Sequence, residues 1–291
     1  MLARIIDILF PLFAITALGY LIGRRLQPDL SQANKLNMDV FVPALVFGAL
    51  ANKAFDISAH LPLVAAGLLM VIASGLAAWG LARVLGVEIK TLVPPIMFNN
   101  CGNLGLPLAV LAFGDTALAP MVVLFVVSNL IHFSFGVWLF DRQVSLLTVW
   151  KVPSVLATFL GLTVSLGQFE LWPPLLIAIR MLGEISIPLM LFGLGVRMAA
   201  SRIQALGFGL FGGLLRPLSG MALAWLILQL IELPAREQAL LLVFGALPPA
   251  VLNFMFAERY RQEPDKVASM VLIGNLLAPL FLSLALALVL D

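Results

Sequence analysis

The stretch PPIMFNNCGNLGLP (94–107) lies inside an apolar run of membrane-crossing length, yet it holds three Asn, two Gly and three Pro. A lipid-facing helix would fill such positions with Leu and Ala. Pro107 cannot donate a backbone hydrogen bond and its ring clashes with the preceding turn, while Gly102 and Gly105 lower the cost of non-helical dihedrals. The composition predicts an unwound segment between Asn100 and Pro107. A second stretch, GALPPAVLN (245–253), repeats the feature with Pro248 and Pro249 adjacent. Irregular backbone at membrane depth is tolerated only where it is buried in protein or lines a wet cavity. Two such breaks at corresponding places point to a binding site.

The surrounding composition sets the solvent. Of 291 residues, 62% are hydrophobic and 11% are charged, against about a quarter charged in a soluble domain. That excludes an ordinary soluble enzyme. A bilayer core takes about 20 apolar residues per helix, and ten apolar windows fit the chain. They fall near 3–23, 30–51, 59–83, 90–113, 116–140, 150–168, 172–198, 203–230, 236–257 and 266–290. The first window ends at Arg24 and Arg25 without a small-residue cleavage site, so it reads as a retained span. A net charge of +2 with no basic run argues against nucleic acid as a partner. One Cys and two His leave no metal cluster to build, and no cofactor is expected apart from coupling to H+ or Na+.

Charge in the loops predicts the topology. Odd-numbered loops carry eleven Lys and Arg, among them Arg24, Arg25, Arg142 and Arg197, while even-numbered loops and termini carry Arg4, Lys53 and Arg236. Basic residues stay on the cytoplasmic side. Both termini are therefore expected outside, in a multi-pass membrane protein.

The chain also repeats itself. Lys35, Asp39 and Pro43 stand four residues apart and lead into VPALVFG (42–48); Arg180, Glu184 and Pro188 do the same before IPLMLFG (187–193), each pair 145 residues apart. LPLAV (106–110) matches LPPAV (247–251), and VSNL (127–130) matches IGNL (273–276), in the same order. Ten spans then form two five-span copies, 1–145 and 146–291. Five is odd, so the copies are inverted, which is the architecture of many secondary transporters. The expected fold is thus an all-α membrane protein of ten transmembrane helices, with spans four and nine broken.

The candidate site residues follow from the breaks. Asn99, Asn100, Asn103 and Asn253 offer side-chain amides, Pro107, Pro248 and Pro249 set the breaks, and the exposed amides of a new helix start favour an anion. A small carboxylate fits that chemistry. The alternative role for the Asn side chains is to satisfy backbone groups freed by the breaks. Asp39 and Glu184 lie about 15 Å into their spans at 1.5 Å per residue, where a carboxylate is a functional candidate. Lys35 and Arg180, one turn away, could equally make each a structural i,i+4 pair. Arg216 has no acid within a turn; its partner could be Glu184, a carbonyl at one of the breaks, or the substrate, for which Arg offers planar, bidentate contact. Asn129, Asn275 and His132 are polar support in spans five and ten.

On NNCGNLGLPLAV (99–110), LPPAVLNFMFAERY (247–260) and the pattern from Asn34 to Phe47, the whole chain resembles the auxin efflux carrier family, within the bile acid/arsenite/riboflavin transporter superfamily. The resemblance implies spans four and nine crossing at Pro107 and Pro248 in a mobile transport domain beside a scaffold domain. Asn103 and Asn253 would then lie close to the bound anion. It implies elevator-like transport of small organic anions and leaves open a homodimer through the scaffold. The chain lacks the long hydrophilic loop of the large plant carriers and looks like the compact bacterial form. The competing expectations are a membrane-embedded receptor that binds without moving its ligand, and a sodium-coupled symporter of the bile-acid type.

Overall fold

The computed structural model describes residues 1–51, 55–143 and 146–290. Lys53, counted above among the even-loop cations, and residue 145, at the expected boundary between the copies, lie outside the described residues. The described chain is helical, with one isolated bridge as its only β pairing. Six helices are long and apolar enough to cross a membrane: Leu2–Leu26, Ile57–Leu85, Asp115–Phe140, Pro173–Ala200, Leu206–Leu228 and Pro264–Val289. Between them lie shorter or interrupted helices.

The elements are α1 (Leu2–Leu26), α2 (the helical stretch 31–50), α3 (Leu61–Leu85), α4 (Ile89–Met97) and α5 (Leu106–Phe113). They continue with α6 (Leu118–Ile131, running on through a π-helical turn to Phe140), α7 (Pro153–Leu166), α8 (Pro173–Ala200) and α9 (Leu206–Leu228). The last three are α10 (Ala235–Ala246), α11 (Val251–Arg259) and α12 (Pro264–Val289). Their ends carry ordinary helix signals. The α3 helix stops at Gly86 in the left-handed conformation, and α1 ends on Arg24 and Arg25, cations at the negative end of the helix dipole. Within α2 the turn Asn37–Phe41 widens to a π-helix. Pro43, with no N–H for the preceding turn, accounts for that local change of register.

The helices sort into two packed groups. In one, α1 lies along α8, and α2 packs on both α7 and α8. The α1–α8 contact is so close that a Cβ on Gly195 would stand 1.9 Å from the Thr16 carbonyl oxygen. Small residues at such crossings let backbones approach where lipid offers no hydrophobic drive between helices. In the other group, α9 packs on α12 and α10, α3 on α4 and α6, and α11 on α12. The outer surface is studded with large apolar residues, including Phe10, Leu76, Trp79, Leu160, Met181 and Leu280. An apolar exterior of this kind would aggregate in water and is what a lipid solvent requires.

Candidate functional site

The two interruptions meet. After α4 the backbone turns extended at Phe98, and the chain resumes as a π-helical turn, Cys101–Gly105, before α5. After α10 it is again extended at Leu247 and Ala250 before α11. Here the two segments pair as an antiparallel bridge between Asn99 and Pro249. Asn100 donates its backbone N–H to the Pro248 carbonyl at 2.8 Å, and Ala250 donates to the Phe98 carbonyl at 3.0 Å. The non-helical residues are therefore 98–100, upstream of the 100–107 segment expected from composition. The displacement has a physical reason: 98 and 100 are the positions whose backbone groups find partners on the opposing segment, while 101–105 can still wind.

Side chains complete the crossing. Asn99 Nδ2 donates to the Phe244 carbonyl at 2.6 Å, Asn253 Nδ2 to the Phe98 carbonyl at 3.0 Å, and Asn100 Nδ2 to Asn275 Oδ1 at 3.0 Å. Asn275 in turn donates to the carbonyls of Val271 and Pro249. Asn99 and Asn253 thus hold backbone carbonyls beside the breaks, and Asn100 holds the side-chain amide of Asn275 on α12. Asn103, half-buried, has no hydrogen-bond partner among the described residues. Pro107 stands at the start of α5. Pro248 and Pro249 are buried at the crossing itself.

Arg216 is 1% exposed and donates from Nη1 to the Gly245 carbonyl at 3.2 Å. Of the partners within the protein, it takes the carbonyl beside a break; no Arg216–Glu184 bridge forms among the described residues. A Cβ on Gly220, one turn along α9, would lie 2.1 Å from that same carbonyl oxygen and 2.3 Å from Nη1. Glycine there gives the guanidinium its approach. His132 lies 4.0 Å from Phe98, ring stacked on ring, and meets Phe256 edge-on. It packs behind the residue whose carbonyl accepts from both Ala250 and Asn253. Asn129 is half-buried and makes no side-chain hydrogen bond among the described residues.

Four buried polar atoms at or beside the crossing remain without a partner: Asn99 Oδ1, Asn253 Oδ1, His132 Nε2 and Arg216 Nε. Native structures leave few such atoms.

The intramembrane charges of the first group are arranged differently. Lys35, Asp39, Arg180 and Glu184 are all exposed. Neither Lys35 with Asp39 nor Arg180 with Glu184 forms an ion pair among the described residues, so the structural i,i+4 pairing is not made. On these helices each side chain is directed outward, where the pairs are free of packing that would hold them together.

Beside the crossing, between the two helix groups, is a cavity of about 480 Å³. Its walls come from α8, α11 and α12, with Leu194 and Arg197 on one side and Val251, Phe254, Met255 and Asn275 on the other. Arg197 is half-buried, and the one hydrogen bond of its side chain among the described residues runs from Nη1 to the Met255 thioether at 3.3 Å. Sulfur is a weak acceptor for a group with five N–H donors. In sequence Arg197 counted only as a loop cation; a cation three residues inside the end of an apolar helix is the signal that could have marked it. Arg202, Glu258 and Asp265 stand at the exposed rim.

A family model described as "Membrane transport protein" matches residues 4–145 and 138–286. A protein of Rhizobium meliloti (strain 1021) named "Putative malonate transporter" is 24% identical over 95% of this chain and 93% of its own length. An uncharacterized transporter of Methanocaldococcus jannaschii is 25% identical over 65% of this chain and 64% of its own. With a helical, lipid-facing exterior and matches over nearly its whole length, the chain belongs to the membrane transport protein family, the family of the auxin efflux carriers.

Proposed function

We propose that the protein is a secondary transporter of small organic anions, binding its substrate where the two interrupted segments cross. The observation that carries this reading is the juxtaposition of that crossing with a cavity between two helix groups. A cavity of 480 Å³ falls in the usual range for small-ligand sites, about 300–1,000 Å³. The crossing presents the start of α11, where the Asn253 N–H is taken by the Ala250 carbonyl at 3.1 Å and the Val251 and Leu252 N–H groups remain without a partner among the described residues, and Arg197 supplies a cation with no ion pair among the described residues. Both favour a carboxylate. The name of the R. meliloti relative, a malonate transporter, is in keeping with that chemistry.

In this reading the ten apolar segments are ten spans in two inverted copies, 1–145 and 146–291. The α1, α2, α7 and α8 helices form a scaffold, and the remainder form a transport domain that carries the crossing past it. Sliding between the groups is what alternating access requires. Asn103 contacts the substrate, and Asn99, Asn100, Asn253, Asn275, Arg216 and His132 hold the crossing rigid while it moves. The outward-facing Lys35, Asp39, Arg180 and Glu184 are covered by a second copy across the scaffold. The orphaned amide oxygens of Asn99 and Asn253 are hard acceptors of the kind a sodium ion takes, which favours sodium over proton coupling.

Counterflow in proteoliposomes tests the proposal. Preloaded unlabelled malonate should drive uptake of labelled malonate, with greater rate when sodium is present. Asn103→Ala and Asn253→Ala should abolish exchange while the protein remains monodisperse in detergent. Ligand-induced thermal stabilisation with no counterflow would replace the transporter by a receptor, and normal exchange by both variants would remove the site.

A further inference from the structure

A second cavity lies on the lipid-facing side, away from the crossing. It is a groove of about 700 Å³ between α3, α4 and α6, floored by Leu68, Ile72, Leu76, Val93, Met97 and Phe135. Leu68, Ile72, Leu76 and Phe135 are exposed, so the groove opens onto the surrounding hydrocarbon. At one end the walls change character. Arg83 lies over the Trp79 ring at 4.0 Å, and Arg142 over the Trp138 ring at 4.3 Å, and all four residues line the groove. Trp79 and Arg83 are one turn apart on α3, which sets the first stack; in the second, Arg142 folds back over Trp138 from beyond the helix end at Phe140, after an extended Asp141. Stacking on an indole holds a guanidinium in place and leaves its N–H edge free.

We propose that this groove is a binding site for an anionic phospholipid, with an acyl chain along the apolar floor and the phosphate held between Arg83 and Arg142. Two observations point to that occupant together. The apolar trough is lipid-facing and long enough to run from the Trp belt to Met97. The two guanidinium groups at its polar end form no ion pair or hydrogen bond among the described residues. A third cation, Lys90, is close by, its Nζ donating to the Phe140 carbonyl at 3.1 Å. The acids near this end include Glu88, Asp141, whose Oδ1 accepts from the Gln143 N–H, and Glu263, which is engaged by the Thr91 hydroxyl and paired with a further cation, Lys266. Positive charge therefore exceeds negative at the mouth. Basic pockets between helices on the side that carries loop cations are the sites at which anionic headgroups dock. A zwitterionic lipid could lay its chain in the same trough but would bring a choline or ethanolamine cation against the two Arg side chains.

The floor gives the site a consequence. Met97 is the last residue of α4, directly before the extended Phe98. A chain packed on Val93 and Met97 touches the helix that leads into the crossing, so occupancy restrains that helix.

The test is binding to the purified full chain, read by native mass spectrometry from mixed micelles of phosphatidylglycerol and phosphatidylcholine with the same acyl chains. The wild type should retain phosphatidylglycerol over phosphatidylcholine by at least about tenfold, given two cations at a membrane surface. Arg83→Gln with Arg142→Gln should lose that preference, and Arg83→Lys with Arg142→Lys should keep most of it. Leu76→Trp, which fills the trough and leaves both Arg side chains intact, should lower retention of both lipids. Equal retention of the two lipids by the wild type, or an unchanged preference in the double Gln variant, would overturn the proposal. None of these outcomes depends on transport.

Discussion

The crossing and the charged faces of α2 and α8 are built from equally polar sequence, and the fold treats them in opposite ways. At the crossing, Asn99, Asn100, Asn253 and Arg216 are almost wholly buried, and each spends a donor on a partner within the protein. On α2 and α8, Lys35, Asp39, Arg180 and Glu184 face outward without an ion pair among the described residues. Buried polar groups must be satisfied, because an orphaned donor or acceptor in low dielectric carries its full desolvation penalty. Outward ones can wait for an external partner. Polar residues within apolar stretches thus have two different fates here, a buried, hydrogen-bonded crossing and an exposed, unpaired surface.

Substitutions can break or sharpen that contrast. The largest effect is expected from Asn253→Ala, which leaves the Phe98 carbonyl with one donor instead of two. It should lower stability by about 1–3 kcal/mol and abolish exchange, measured as thermal midpoint and counterflow on the same preparation. Arg216→Met should separate rigidity from stability. Replacing a buried charge by an apolar side chain of similar length often leaves stability unchanged or raised, so the thermal midpoint should hold. Exchange should nevertheless fall by about tenfold, the cost of one hydrogen bond to a positioned group. A large loss of midpoint with normal exchange would make Arg216 a packing residue only.

Arg197→Gln comes next. It should raise the half-saturating concentration of a dicarboxylate by about tenfold, the scale of one charge-assisted contact, and change a monocarboxylate less. Arg197→Lys should recover part of the loss, since a point charge replaces a planar fork. The smallest effect on transport is expected from Asp39→Asn with Glu184→Gln. Exchange per protomer should stay within about twofold, as for exposed substitutions generally, while size-exclusion with light scattering shifts from dimer toward monomer. Loss of exchange with an unchanged oligomer would move these carboxylates from the exposed surface to the coupling machinery.

Much of the site was readable in the chain. The Pro and Gly content of 94–107 and 245–253 announced both interruptions, because Pro lacks an N–H and Gly tolerates dihedrals that other residues avoid. The position of the unwinding within the first stretch was not readable. It depends on which carbonyls and amides meet a partner 152 residues away in sequence, as Phe98 meets Ala250. The role of the Asn amides was undecided for the same reason, since an amide serves a ligand or a backbone group equally well until its neighbours are known. The place of Arg197 in a cavity wall was invisible, because a basic residue near a helix end reads the same whether it faces water, lipid or a cavity.

Sequence alone determined that this protein lives in lipid, since 11% charge and its apolar windows permit no other solvent. It also announced that two helices must break, because those rules are local. Tertiary structure decided what the breaks meet. Pairing of Asn99 with Pro249, the anchoring of Gly245 by Arg216, and the cavity between α8 and α11 all arise from contacts between segments far apart in the chain. Local covalent chemistry fixes which groups are left unsatisfied; only packing in three dimensions fixes which of them find each other.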